Sequence, residues 1–217
     1  MQTIDQLLDY SKTSFHAVKK AEEILNENGF KKLFENQDFI LKNDGKYYVT
    51  RNDSALIAFV VSTEKQKGFR IVASHTDSPC FKVKLGKNPT AAGCTTLSVE
   101  QYGGGLRYTW FDRPLKLCGR LCGEKDGKLV SVLYESEKKF VIPSLAIHYN
   151  RSANDGIPFN AQTDCQPIYS LDCDAAALLN DLKASFDGEL LDCDLYLVCD
   201  EKPFFAGRTD ELLCSPR

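Results

Sequence analysis

No apolar run in the 217 residues approaches the length of a membrane-spanning helix, so a bilayer-embedded chain is not expected. The start, MQTIDQLLDYSKTS, lacks a basic segment followed by an apolar core, and no signal peptide is expected either. A dominant charge is missing too. Lys and Arg number 27 against 30 Asp and Glu, a formal charge of -3, with both signs mixed along the chain. Without a basic arm or an acidic tail, nucleic acid and anionic membrane are poor default partners. The nine cysteines include no Cys-x-x-Cys, and their odd number and wide spacing argue against a disulfide scaffold. Cys118 and Cys122 form half a zinc knuckle at most, because no second pair or suitably placed histidine completes it. Reduced, mostly buried thiols are the better reading, and the cytoplasm is the expected compartment. Internal repeats and low-complexity tracts are absent.

What is present is an ordinary globular composition, 43% hydrophobic and 26% charged, in a chain long enough for one large or two modest domains. Thr13 or Ser14 is placed to cap a helix in which Ala17, Val18, Ala21, Ile24 and Leu25 recur at helical spacing, with Gly29 to end it. His16, in its first turn, reads as a packing or solvated histidine. KYYVT, ALIAFVV and FRIVASH follow as strand candidates, the last two apolar on both faces as strands covered on both sides would be. After Lys84 the texture changes to a Gly- and Thr-rich stretch, and KLCGRLCG, KLVSVLYES and KKFVIPSL read as short strands, the first two parted by Lys125-Asp126-Gly127. The polar stretch 150–166 reads as a loop, DAAALLNDLKASF as a helix, ELLDCDLYLVCD as a core strand, and the closing EKPFFAGRTDELLCSPR as loop. The expected fold is therefore α/β: a mixed-sheet domain over 1–84, a β-rich, barrel-like insertion over 85–187, and resumption of the first domain over 188–217.

The chemistry concentrates in IVASHTDSPC. Residues two apart on an extended segment share a face, so His75 and Asp77 can enter one crevice at the carboxyl end of a strand. A metal-binding imidazole generally has its second nitrogen fixed by a carboxylate or carbonyl. Asp77 either fills that role or binds metal itself, and a purely structural pair is the alternative. Nucleophilic readings are weaker. The chain has no Gly-x-Ser-x-Gly elbow, Ser78 is too near His75 and Asp77 for triad geometry, and nothing supplies an orienting partner for a Cys80 thiol. Gly103-Gly104-Gly105 precedes LRYTWFDRPL rather than a capped helix, which argues against a phosphate cradle.

Four stretches, ASHTDSPCFKVK, YGGGLRYTWFDRPL, IPSLAIHYNR and DLYLVCDEKPFFAGRTDELLCSPR, occur in an order and spacing that closely resemble the M18 family of metalloaminopeptidases. The N-terminal FHAVKKAEEILNENGF is similar to the family's first helix. The resemblance implies a zinc-dependent aminopeptidase that removes N-terminal residues, often acidic ones, from peptide substrates. It also implies two Zn2+ ions in an α/β catalytic domain, and an inserted β-rich domain that builds homo-oligomers. By the same resemblance His75 is a metal ligand, Asp77 orients it, and His148 reaches a neighbouring subunit's active site.

The family pattern continues after SPR into LDN, whose aspartate bridges the two metals, and further ligands lie beyond. This sequence ends at Arg217, before that position. One histidine ligand and an orienting aspartate fall short of the three or four donors of a zinc site. The expectation is thus an aminopeptidase by family, inactive as this chain alone and without a retained metal pair. The alternative is a non-enzymatic assembly module derived from the family.

Overall fold

A computed structural model describes residues 3–62 and 68–216, which fall into two compact units, Met1–Ser78 and Pro79–Arg217. The first unit opens with α1 (Ile4–Tyr10), a helix the sequence pattern did not announce, started by Thr3, whose N–H donates to Gln6 Oε1 at 3.1 Å. The second helix, α2 (Ser14–Glu27), has Thr13 at its N-cap position, but the Thr13 hydroxyl meets His16 Nδ1 at 2.9 Å rather than a helix N–H. It ends in a Schellman turn: Phe30 N–H donates to Leu25 O, Gly29 N–H to Asn26 O, and Gly29 takes φ 80°, which a side chain would oppose. Phe15 and Val18 of α2 are buried, and Tyr48 is tied to the same helix by its hydroxyl, 3.0 Å from Asn26 Oδ1.

Tyr48 belongs to a three-stranded sheet of β1 (Lys31–Lys32), β2 (Lys46–Arg51) and β3 (Ala55–Val60), in that order. The first pair is parallel and the second antiparallel. KYYVT and ALIAFVV are thus strands as expected. FRIVASH is not: residues 69–75 form no strand, and Phe69, Ile71 and Val72 are 93%, 82% and 101% exposed. The expectation of cover on both faces fails for β3 as well, where Ile57 is 70% exposed. The apolar pattern is present, but no layer among the described residues lies against it.

The second unit is built on a five-stranded antiparallel sheet in the order β7-β4-β11-β8-β9: β4 is Cys80–Val83, β7 Val99–Tyr102, β8 Leu115–Lys125, β9 Lys128–Glu135 and β11 Glu189–Cys199. A smaller sheet, β10-β6-β5, joins Ile168–Ser170 (β10), Cys94–Thr96 (β6) and Thr90–Ala91 (β5). Asp126 and Gly127, both at positive φ, make the tight β8–β9 turn that Lys125-Asp126-Gly127 suggested. Bridges from Leu115 to Phe140 and from Val141 to Ile168 connect the two sheets, so KKFVIPSL contributes bridges rather than a full strand. Neither sheet closes on itself among the described residues, and the expected barrel is not seen. β11, placed by the sequence in the resumed domain, runs in the middle of this five-stranded sheet.

Alternation sorts the two faces of that sheet. Leu117, Leu121, Leu195, Leu197, Phe81 and Val83 pack in one buried cluster with Leu178 and Leu182 of α3 (Ala177–Ser185). On the other face Asp194 lies opposite Arg120 and accepts from its Nε at 3.0 Å and from Lys82 Nζ at 3.1 Å. Burial pushes the Asp194 carboxyl up, but the two cationic donors outweigh it and hold it below the ordinary value. The closing segment is a hairpin rather than a loop: β12 (Phe204–Ala206) pairs antiparallel with β13 (Leu212–Cys214).

Candidate functional site

His75 and Asp77 meet, as the i, i+2 spacing predicts. The His75 Nδ1 lies 2.7 Å from the Asp77 carbonyl oxygen and 3.0 Å from Asp77 Oδ1. A carbonyl oxygen can only accept, so Nδ1 carries the proton, and the neutral ring keeps its lone pair on Nε2. Nε2 takes no hydrogen-bond partner among the described residues, and the side chain is 80% exposed. Next to it, Thr76 Oγ1 donates to Ser54 O at 2.7 Å, fixing this segment to the turn before β3. The backbone geometry thus presents one imidazole nitrogen as a free donor and immobilises the other.

A zinc site asks for more. Among the described residues no three His, Cys, Asp or Glu side chains converge into a group able to hold a metal ion. His75 suits a single ligand position, with the tautomer that Nε2 coordination requires; the remaining donors are not assembled. The Cys118–Cys122 half-knuckle gathers no group of three metal donors among the described residues. Burial pushes the Cys193 thiol up to about 12 and the Cys199 thiol up to about 11, so both remain protonated near neutrality.

His148 belongs to the second unit, in a turn where Tyr149 N–H donates to Ala146 O and Asn150 N–H to Ile147 O. Its ring takes no partner among the described residues. Leu145, Ile147 and Tyr149 around it are exposed. The turn is anchored by Asp112, a residue the sequence reading gave no role. Its backbone N–H donates to Ile142 O and its carboxylate accepts from Ser144 N–H, both at 2.9 Å. Hydrogen bonds from the Ser144 side chain and then its backbone N–H hold the Asp112 carboxyl below its usual value. Asp112 sits at φ 55°, a conformation that Asn and Asp tolerate best outside glycine, and this was the signal available in the sequence FDRP. YGGGLRYTWFDRPL and IPSLAIHYNR are therefore neighbours in space. The first is divided in use: Trp110 packs edge-on against Phe81 and Phe111 lies 4.5 Å from Phe159, whereas Leu106 and Tyr108 face solvent. The aromatic residues of this stretch are half core and half surface.

A family model described as aminopeptidase I zinc metalloprotease (M18) matches residues 7–217. The chain belongs to the M18 family of metalloaminopeptidases. Its relatives include a probable M18 family aminopeptidase 2 of Clostridium novyi, 38% identical over 233 residues that take in 98% of this chain and 53% of that protein. A cryo-EM structure of an Ape4 and Nbr1 complex superimposes with a TM-score of 0.86 at 31% identity, covering 96% of this chain and 45% of the other. The S. cerevisiae mApe1 dodecamer gives a TM-score of 0.75 at 27% identity, covering 96% and 50%. The chain thus spans about half the length of the relatives it matches. No helix among the described residues is long and apolar enough to cross a membrane.

Proposed function

We propose that this chain is the part of a zinc aminopeptidase that carries the first metal ligand and the assembly unit, and that it does not hydrolyse peptides by itself. The observation that carries the reading is the His75–Asp77 pair, which leaves Nε2 with a lone pair and no partner among the described residues. In a complete site of two Zn2+ ions, zinc would polarise the scissile carbonyl and supply a metal-bound water. His75 would hold one of the ions through Nε2, Asp77 would keep the ring oriented, and His148 would act at the active site of a neighbouring copy. The substrate class is a peptide with a free, acidic N-terminal residue. The sequence division at 85–187 is kept as the proposed inserted assembly domain, and cysteines that form no disulfide suit a reducing cytoplasm.

The second reading, a non-enzymatic assembly module, draws on the exposed group Leu106, Tyr108, Leu145 and Tyr149 and on the lack of a three-donor cluster among the described residues. The mApe1 neighbour is a dodecamer, which supports association of copies here under either reading. Asp- and Glu-arylamide hydrolysis by the purified chain, with zinc and with a chelator, tests the proposal. No turnover is expected, and chelator-sensitive turnover would refute the inactivity. A change in the size of a full-length family member on adding this chain would favour the module.

A further inference from the structure

β9 is an outer strand of the five-stranded sheet, and its far edge pairs with no strand among the described residues. The tight turn at Asp126-Gly127 makes Lys125 and Lys128 a hydrogen-bonded pair, so residues 128, 130, 132 and 134 turn their backbone groups toward β8. The same alternation reaches Ser136, whose N–H donates to Leu117 O at 2.8 Å. The N–H and C=O of Leu129, Ser131 and Leu133 therefore point outward along the open edge. Soluble proteins usually blunt such an edge with lysine, proline or a bulge. Between Lys128 and Glu135 β9 has none of these, and it runs in unbroken register with β8. Leu129, Val132 and Leu133 are 80%, 44% and 39% exposed. The opposite edge strand, β7, is shorter and carries Glu100.

Residues 129–133 read Leu-Val-Ser-Val-Leu, the same in both directions. We infer that β9 pairs antiparallel with β9 of a second copy of this chain, about a two-fold axis through Ser131. That register matches outward-facing residues with one another: Ser131 with the partner's Ser131 and Leu129 with the partner's Leu133, each pair exchanging both backbone hydrogen bonds. Leu129 packs on the partner's Leu133 on the face that carries Arg120, and Val130 meets the partner's Val132 on the other face. An unrelated strand could satisfy the backbone groups, but the palindrome matches side chain to side chain only when β9 meets itself. The inference deepens the association of copies in the proposed function and rests on that reading for association alone; it makes no use of His75 or of zinc.

The test follows the full 217-residue chain by amide hydrogen exchange and sedimentation velocity as its concentration is raised. The amides of residues 130, 132 and 134 are protected by β8 at every concentration. Those of Leu129, Ser131 and Leu133 should exchange freely in the monomer and slow at least about tenfold as the dimer forms. Leu129→Lys combined with Leu133→Lys sets like charges opposite one another and should weaken self-association at least about tenfold. Leu129→Glu combined with Leu133→Glu should do the same, and an equimolar mixture of the two variants should pair again. Amides at 129, 131 and 133 that exchange equally fast at every concentration overturn the inference. So does a lysine variant that associates undiminished, or a mixture that fails to pair. These readouts belong to β9, so their failure leaves the His75 reading standing, which arylamide hydrolysis tests separately.

Discussion

The Asp77 carbonyl oxygen and the His75 Nδ1, 2.7 Å apart, decide which nitrogen of this exposed imidazole is free. The Asp77 carboxylate oxygen, 3.0 Å from the same nitrogen, reinforces the choice electrostatically. One residue therefore acts on the ring with its backbone and with its side chain. A ring turned outward with its tautomer set suits coordination better than it suits packing.

A single oriented donor does not hold zinc. After dialysis against zinc and then against metal-free buffer, the purified chain should retain well below one equivalent by elemental analysis. A tightly held equivalent would contradict the single-donor account.

Close backbone approach at Gly119 gives a stability prediction for the second unit. A Cβ at that position would lie 1.8 Å from the Asp194 carbonyl oxygen, whereas one at Gly104 would meet nothing within 4 Å. Gly119→Ala should lower stability by about 2–3 kcal/mol, as forced overpacking does, and Gly104→Ala should leave it nearly unchanged. Urea unfolding followed by the fluorescence of Trp110, the chain's single tryptophan, reports on this unit.

The fold was legible in the sequence where the pattern and its cover both lie within the chain. α2 follows its apolar spacing between Thr13 and Gly29, and KLCGRLCG, KLVSVLYES and ELLDCDLYLVCD fall in β8, β9 and β11. ALIAFVV was correctly a strand, but FRIVASH was not, because apolar pattern reports what a segment would bury and not whether a burying layer is present. The terminal hairpin was missed because its Gly207 and Asp210 turn signals sit among charged residues that also suit a loop. At the candidate site, the His75–Asp77 contact followed from spacing, while the part played by Asp112 depends on a long-range bond to Ser144 that no local pattern encodes.

The Asp194 cluster predicts an acid-side dependence of stability. Its folded-state pKa lies below that of the unfolded chain, so its contribution is complete above about 3.9 and is lost as pH falls through the lower folded value. Asp194→Asn, which leaves Lys82 and Arg120 without their shared carboxylate, should cost about 1–2 kcal/mol at neutral pH. The gap between the two proteins' urea midpoints should narrow below pH 4 or so. A gap that widens in acid would contradict the assigned direction.

Association of copies, if it uses the turn around His148, should depend on Tyr149, which is 83% exposed. Tyr149→Glu should shift the chain toward the monomer in sedimentation velocity and leave its melting temperature unchanged. An unaltered size distribution would remove this turn from the interface.

The central claim, that His75 presents Nε2 as a metal donor because Asp77 holds Nδ1–H, is tested most directly by long-range 1H–15N correlation of the His75 ring in the neutral state. The account predicts the Nδ1–H tautomer, with the share of Nε2–H rising when Asp77 is changed to Ala. A ring already protonated at Nε2 in the parent protein would contradict it.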